Sequence, residues 1–389
     1  MAERPRHILP LIILSQFLGT ASWFAGNAAL PGLAQIWQFA TGSLALVTNA
    51  VQSGFILGAL SFALLSLSDR FSPSKIFLVC ALSSAAINLA TALCADSITD
   101  VAILRFTAGL LLAGIYPVGM KLAASWFPEG LGRALGYLIG SLVLGTAIPH
   151  LFASFSAVSW QGVMIWVAIM NLAAGLIITM AVGDGPALTA PAPVRLRDMR
   201  ALISYPKLRA SALGYFGHMW ELYAIWAIAP VWLVNWAKYH QVDINVSLMT
   251  FCVIGIGALG SSLGGLWSSR YGSARIAAGM LTISGACCLL SPIAFEYGIF
   301  ANLIFWFLWG FSISADSAQF SALSAKNAPS QAVGTALTLI NAIGFLLTLL
   351  AIQLSVQLLE HIPVAWIPLI LLPGPILGVL AMRRLIKDQ

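Results

Sequence analysis

A chain of 389 residues that is 60% hydrophobic and 8% charged cannot fold as a soluble domain, where roughly 25% of residues are charged. Its net charge of +6 and pI of about 9.2 do not point to nucleic acid. Removing Arg105 and Lys238 from the 19 Lys and Arg residues leaves 17, all in one alternate set of loops beside apolar stretches, where they face anionic lipid.

Apolar stretches of about 20 residues, enough to cross roughly 30 Å of hydrocarbon as helix, recur twelve times. Arg4 and Arg6 precede the first, near 8–30, which is too long for a signal peptide and lacks a small-residue cleavage pattern. The second, 43–66, leads into a loop with Asp69, Arg70 and Lys75, and the third is 74–95. The fourth, 99–123, holds Arg105 and ends at Lys121; Arg133 opens the fifth, 132–155, and 161–182 is the sixth. Residues 183–207 form a polar linker with Pro186, Pro191 and Pro193 in its extended part and a basic stretch behind them. Beyond it lie 208–235, 246–268, a loop with Arg270 and Arg275, then 274–295, 298–322, 331–356 and 362–382, closed by Arg383, Arg384 and Lys387. Retained positive charge marks the cytoplasmic side. The pattern predicts a multi-pass protein of a bacterial inner (plasma) membrane with both ends cytoplasmic, an N-terminal bundle over 1–182 and a C-terminal bundle over 208–389.

Cys80, Cys94, Cys252, Cys287 and Cys288 lack metal-type spacing and read as small core residues inside apolar spans. No P-loop, His-Glu-x-x-His or nucleophile elbow is present, so the chain reads as neither ATP-driven pump nor enzyme, with no cofactor and no metal site.

The two halves repeat. Phe17 and Pro31 correspond to Phe216 and Pro230, the Asp69–Lys75 loop to Ser269–Arg275, Gly109 to Gly310, and Pro128 to Pro329, at offsets of 199 to 201. The loop Gly265-x-x-x-Ser269-Arg270-Tyr271-Gly272-x-x-Arg275, and its first-half copy with Asp69, Arg70 and Lys75, resembles the signature loop of the major facilitator superfamily, with Leu65 and Ser72 in place of glycines and Ser269 in place of the acid. Arg105-Phe-Thr-Ala-Gly109-Leu-Leu-Leu-Ala113 is similar to the family's fourth-helix motif, and Gly132, Gly136, Gly140 and Gly145, ending at Pro149, to its glycine-rich fifth helix. This resemblance implies an all-α integral membrane fold of twelve transmembrane helices in two pseudo-symmetric six-helix bundles. It implies a cavity lined by the first, fourth, seventh and tenth helices, and a cytoplasmic gate of Asp69, Arg70, Lys75, Arg270 and Arg275. The same residues could equally be solvated turn residues, and the glycines could serve helix packing alone.

Ionisable groups at bilayer depth are functional-site candidates because each costs at least about 2.5 kcal/mol to insert. Glu221, Asp316, Arg105 and His218 qualify, with His218 one turn before Glu221 on the same helix face. A buried carboxyl suits proton exchange as water access alternates, and His218 could share that proton or fix Glu221 by a hydrogen bond. Salt-bridge, packing and inner-gate roles stay open, and Arg105 could pair with an acid or with first-helix carbonyls. Cavity candidates are Trp23, Phe24, Asn27, Tyr116, Trp220, Tyr223, Trp309 and Gln319, while Trp37, Trp126, Trp160 and Trp366 read as interface anchors. The function expected is a monomeric secondary active transporter moving a small organic solute by alternating access. Proton coupling is favoured over sodium because protonatable groups are present and no unwound, carbonyl-rich segment is evident. One arginine against two carboxylates suggests a cationic, zwitterionic or amphipathic solute, or a metabolite whose single carboxylate meets Arg105. A multidrug or metabolite exporter, or a non-transporting sensor or assembly partner, remains an alternative.

Overall fold

Helices dominate because lipid offers backbone N–H and C=O groups no partner, so a spanning segment must satisfy its own. The computed structural model describes residues 5–127, 131–188, 204–329 and 333–387, and these contain no strand. They form two compact units, one of residues 5–39 and 46–188, the other of 40–45 and 204–387. Most of the 183–207 linker, together with Arg4 and Pro128, lies outside the described residues, as do the side chains of Asp69 and Arg133.

In the first unit the order is α1 (Ile8–Thr20), α2 (Ala25–Ile36), α3 (Gly42–Leu64), α4 (Leu67–Arg70), α5 (Pro73–Cys94), α6 (Ile98–Leu112), α7 (Tyr116–Trp126), α8 (Leu131–Ala153) and α9 (Trp160–Ile177), which runs into a π-turn at Ile178–Val182. In the second it is α10 (Pro206–His240), α11 (Val246–Tyr271), α12 (Ser273–Glu296), α13 (Ile299–Ala315), α14 (Ser317–Asn327), α15 (Val333–Leu358), a 3-10 segment (Val364–Ile370) and α16 (Pro373–Lys387). With α1 and α2, α6 and α7, and α13 and α14 each counted as one bent span, 11 candidate membrane spans result among the described residues. The twelfth is α10. Its 35 residues reach about 52 Å at 1.5 Å each, but Lys207, Arg209, His218, Glu221 and Lys238 make it more polar than the rest.

Two of the bends have an identifiable cause. Pro117 has no N–H for the Ala113 carbonyl four residues earlier, and α6 stops at Leu112. The break at Ala21–Phe24 comes from side chains that take over the end of α1. Thr20 Oγ1 donates to the Gln16 carbonyl at 2.8 Å, and Asn171 Nδ2 donates to the Leu18 and Gly19 carbonyls at 3.0 and 3.3 Å. Asn171 Oδ1 in turn accepts from Ser22, Ser84 and Asn88 at 2.6, 2.7 and 3.2 Å. All four residues are fully buried. This corrects the sequence expectation that no span is unwound, and shows that the unwound stretch has its freed carbonyls already satisfied.

The repeat is visible in the packing of each unit. A Cβ added at Gly109 would overlap the Val51 carbonyl, and one added at Gly310 the Val253 carbonyl. Small residues at these crossings let α6 press on α3 and α13 on α11 at backbone distance.

Candidate functional site

In the first unit, Trp23 in the break and Asn27 at the start of α2 both reach α3. Trp23 Nε1 donates to Gln52 Oε1 at 3.2 Å, and Asn27 Nδ2 donates to Thr48 Oγ1 at 2.7 Å. Phe55 and Tyr116 stand 4.8 and 6.2 Å from the Trp23 ring, so two of the expected cavity residues share one aromatic wall. Phe24, at the start of α2, is fully buried.

Arg105 projects from α6 against Gly26, whose missing side chain makes room for its stem. Its Nη2 donates to Thr91 Oγ1 at 3.0 Å, while Nε and Nη1 have no hydrogen-bond partner among the described residues. The group is 0% exposed. The acid or first-helix carbonyl expected to pair with it is therefore replaced by one neutral hydroxyl.

In the second unit the break between α13 and α14 sets Asp316 beside α10. His218 Nδ1 lies 3.0 Å from Asp316 Oδ1, and its Nε2 lies 3.0 Å from Ser317 Oγ. Of the roles left open for His218, a hydrogen bond to Glu221 is not the one formed: its ring nitrogens face Asp316 and Ser317. One turn on, Glu221 has a different setting: Cys288 Sγ donates to Oε2 at 3.5 Å, Ser284 lies against the carboxyl, and Oε1 has no hydrogen-bond partner among the described residues. Trp309 Nε1 donates to the same Ser284 hydroxyl at 3.1 Å. Glu221 and Asp316 are both 0% exposed.

The other cavity candidates scatter. Trp220 directs its N–H to the Ile370 carbonyl at 3.4 Å, away from the acidic cluster. Tyr223 packs between Trp226 and Phe345, with ring centres at 5.3 and 5.5 Å. Gln319 Nε2 turns back to the Ala315 carbonyl at 3.1 Å. Of the proposed anchors, Trp160 is buried against Trp37 at 5.9 Å, Trp126 donates to the Gly183 carbonyl, and Trp366 is exposed. All five cysteines are free thiols, with Cys94 exposed at the end of α5 rather than in a core.

At the gate loops, Ser72 caps α5, and Asp184, from the first residues after the sixth span, accepts from the Ser74 N–H at 2.8 Å. Lys121 reaches the Ser68 carbonyl. In the second unit Arg270 sits over Tyr271, 5.3 Å from the ring centre, and Ser269 bonds back to the Leu266 carbonyl. Gly272 follows at φ 90°, a conformation that suits only glycine.

Sequence reasoning missed Gln52, Thr91, Ser284, Cys288, Ser317 and Asp184. Gln52 and Thr91 were within reach, being polar residues in apolar spans; the serines and the thiol carry no such signal, because their importance arises from what folds against them.

Buried ionisable groups on bent, lipid-spanning helices define a membrane carrier. The Major Facilitator Superfamily profile matches residues 12–352. The chain belongs to that superfamily and is a transporter, not an enzyme. It is 23% identical to the probable sulfoacetate transporter SauU of Cupriavidus necator, over 78% of this chain and 77% of that protein. Two crystal structures of a bacterial homolog of the human lysosomal transporter Spinster, inward-facing and unoccupied or occupied, share its fold. They superpose with TM-scores of 0.73 and 0.72 at 13% identity, covering 100% of this chain and 99% and 98% of those.

Proposed function

We propose that this transporter is a proton-coupled secondary carrier for a small organic acid, with Glu221 and the His218–Asp316 pair handling the proton. The carrying observation is the 3.0 Å contact between His218 and Asp316, both buried, at the interruption between α13 and α14. An imidazole held against a carboxyl can take up and release one proton with little rearrangement. Glu221, one turn away with a thiol and a hydroxyl at its oxygens, is a second buried carboxyl that no cation meets among the described residues.

Sodium is disfavoured on different grounds from those the sequence offered. The freed carbonyls at Leu18 and Gly19 already accept from Asn171, whose amide N–H groups stand where a cation would have to sit. The acidic solute is supported by Arg105, whose charge meets no carboxylate among the described residues, and by the relative whose name assigns it sulfoacetate. The carrier is read as resident in a bacterial inner membrane with both ends cytoplasmic, and Asp69, Arg70, Lys75, Arg270 and Arg275 as its cytoplasmic gate.

The test is uptake by proteoliposomes under an imposed pH or sodium gradient. Accumulation should follow the pH gradient and collapse with a protonophore; accumulation driven by sodium alone overturns the coupling.

A further inference from the structure

Two fully buried donor groups in the first unit lack, among the described residues, the partner that burial demands. Arg105 keeps Nε and Nη1 unmet there, and Gln52 keeps Nε2 unmet; both residues are 0% exposed. The orientation of Gln52 is physically fixed, because the Trp23 indole can only donate, so the amide oxygen faces it and the NH2 end is left over. Buried polar groups are nearly always paired, and an unpaired buried charge is the costliest case.

The two groups meet the same stretch of chain. The Arg105 stem lies against Gly26 at the start of α2, and Gln52 is bonded to Trp23, three residues before it. Phe55 and Tyr116 pack on the Trp23 ring and face each other.

We infer that Arg105 and Gln52 are the two ends of a receptor for a short bifunctional acid: the free guanidinium edge takes a carboxylate or sulfonate, and the Gln52 amide donates to a second oxygen across a short hydrocarbon spacer lying on Trp23. A guanidinium presents parallel N–H groups to an oxyanion, and the neutral amide N–H donates to a carboxyl, sulfonate or hydroxyl oxygen at the far end. Gln52 is then a specificity-determining residue, separating two-ended acids from one-ended acids of similar charge. This deepens the organic-acid reading and rests on it.

The test is equilibrium binding to the purified protein in detergent with no gradient present, using acetate and methanesulfonate as one-ended probes, malonate and glycolate as two-ended probes, and acetamide and malonamide as neutral controls. The acids should bind, the amides should not, and glycolate, whose second oxygen is uncharged, should bind more tightly than acetate. Gln52→Leu should weaken glycolate roughly tenfold, the worth of one hydrogen bond, while acetate changes less than twofold. Arg105→Gln should abolish binding of every acid, and Arg105→Lys should restore part of it. Amides that bind as well as acids, no binding by any acid at millimolar concentration, or equal losses for acetate and glycolate in Gln52→Leu would each overturn the inference. The acid-against-amide comparison needs no variant, so a misfolded Arg105 substitution does not shield it. Intact binding without uptake driven by a pH gradient would count against the proton coupling and leave the receptor standing.

Discussion

Glu221 and Asp316 are both fully buried carboxyls of the second unit, yet replacing each leaves a different hole. Among the described residues Cys288 and Ser284 stand at the Glu221 oxygens, so Glu221→Gln keeps the shape and an acceptor for them while removing the titratable proton. In proteoliposomes this variant should lose uphill accumulation while substrate counterflow stays within a few-fold of wild type; full accumulation would shift the proton to Asp316. Asp316→Ala instead leaves His218 facing an empty position. Leaving a buried polar group without its partner costs about 1 to 3 kcal/mol, so this variant should melt below both wild type and Glu221→Gln in detergent. Equal melting temperatures would mean that the pair contributes nothing to the fold.

At the scale of elements, the spans were legible and the breaks were not. Long apolar runs bounded by Lys and Arg announce themselves because the membrane leaves no alternative to helix. Pro117 could have announced the break before α7. The break at Ala21–Phe24 could not be read locally, since its cause sits some 150 residues away on α9, where Asn171 caps α1. The pairing of His218 was not legible for the same reason: spacing along α10 favours Glu221, but the turn at Asp316 brings a closer partner from another helix. Asn171 carries a prediction of its own. Asn171→Leu strands the Leu18 and Gly19 carbonyls and removes the acceptor shared by Ser22, Ser84 and Asn88. Each stranded buried group costs about 1 to 3 kcal/mol, so the variant should lose several degrees of thermal stability, while Ser84→Ala, which removes one donor of three, should lose much less. If the two variants melt together, the network does not hold the bend.

For the whole molecule, the duplicated sequence and the duplicated glycine crossings at Gly109 and Gly310 agree on the fold, but neither says which side of the membrane is which. That rests on charge. Each Lys or Arg near an anionic leaflet contributes about 1 kcal/mol, and with 17 such residues in one set of loops against Lys238 in the other, the asymmetry far outweighs any single loop. Cysteine reporters test it directly, provided they avoid residues that shape the loops. Gln241 holds a left-handed φ of 52° and Ser97 caps α6, so Asp243 and Asp96 are the sounder neighbouring positions. Native Cys94 is exposed at the same end of α5 as Asp96 and must first become Ser. A membrane-impermeant maleimide added to intact cells should then reach cysteines at Gln38, Asp96, Asp243 and Glu296, and should miss those at Tyr205 and Ser269 until the membrane is permeabilised. The opposite pattern would invert the carrier. It would then put Arg70, Lys75, Arg270 and Arg275 on the outer face, where a gate built from them would close the wrong side.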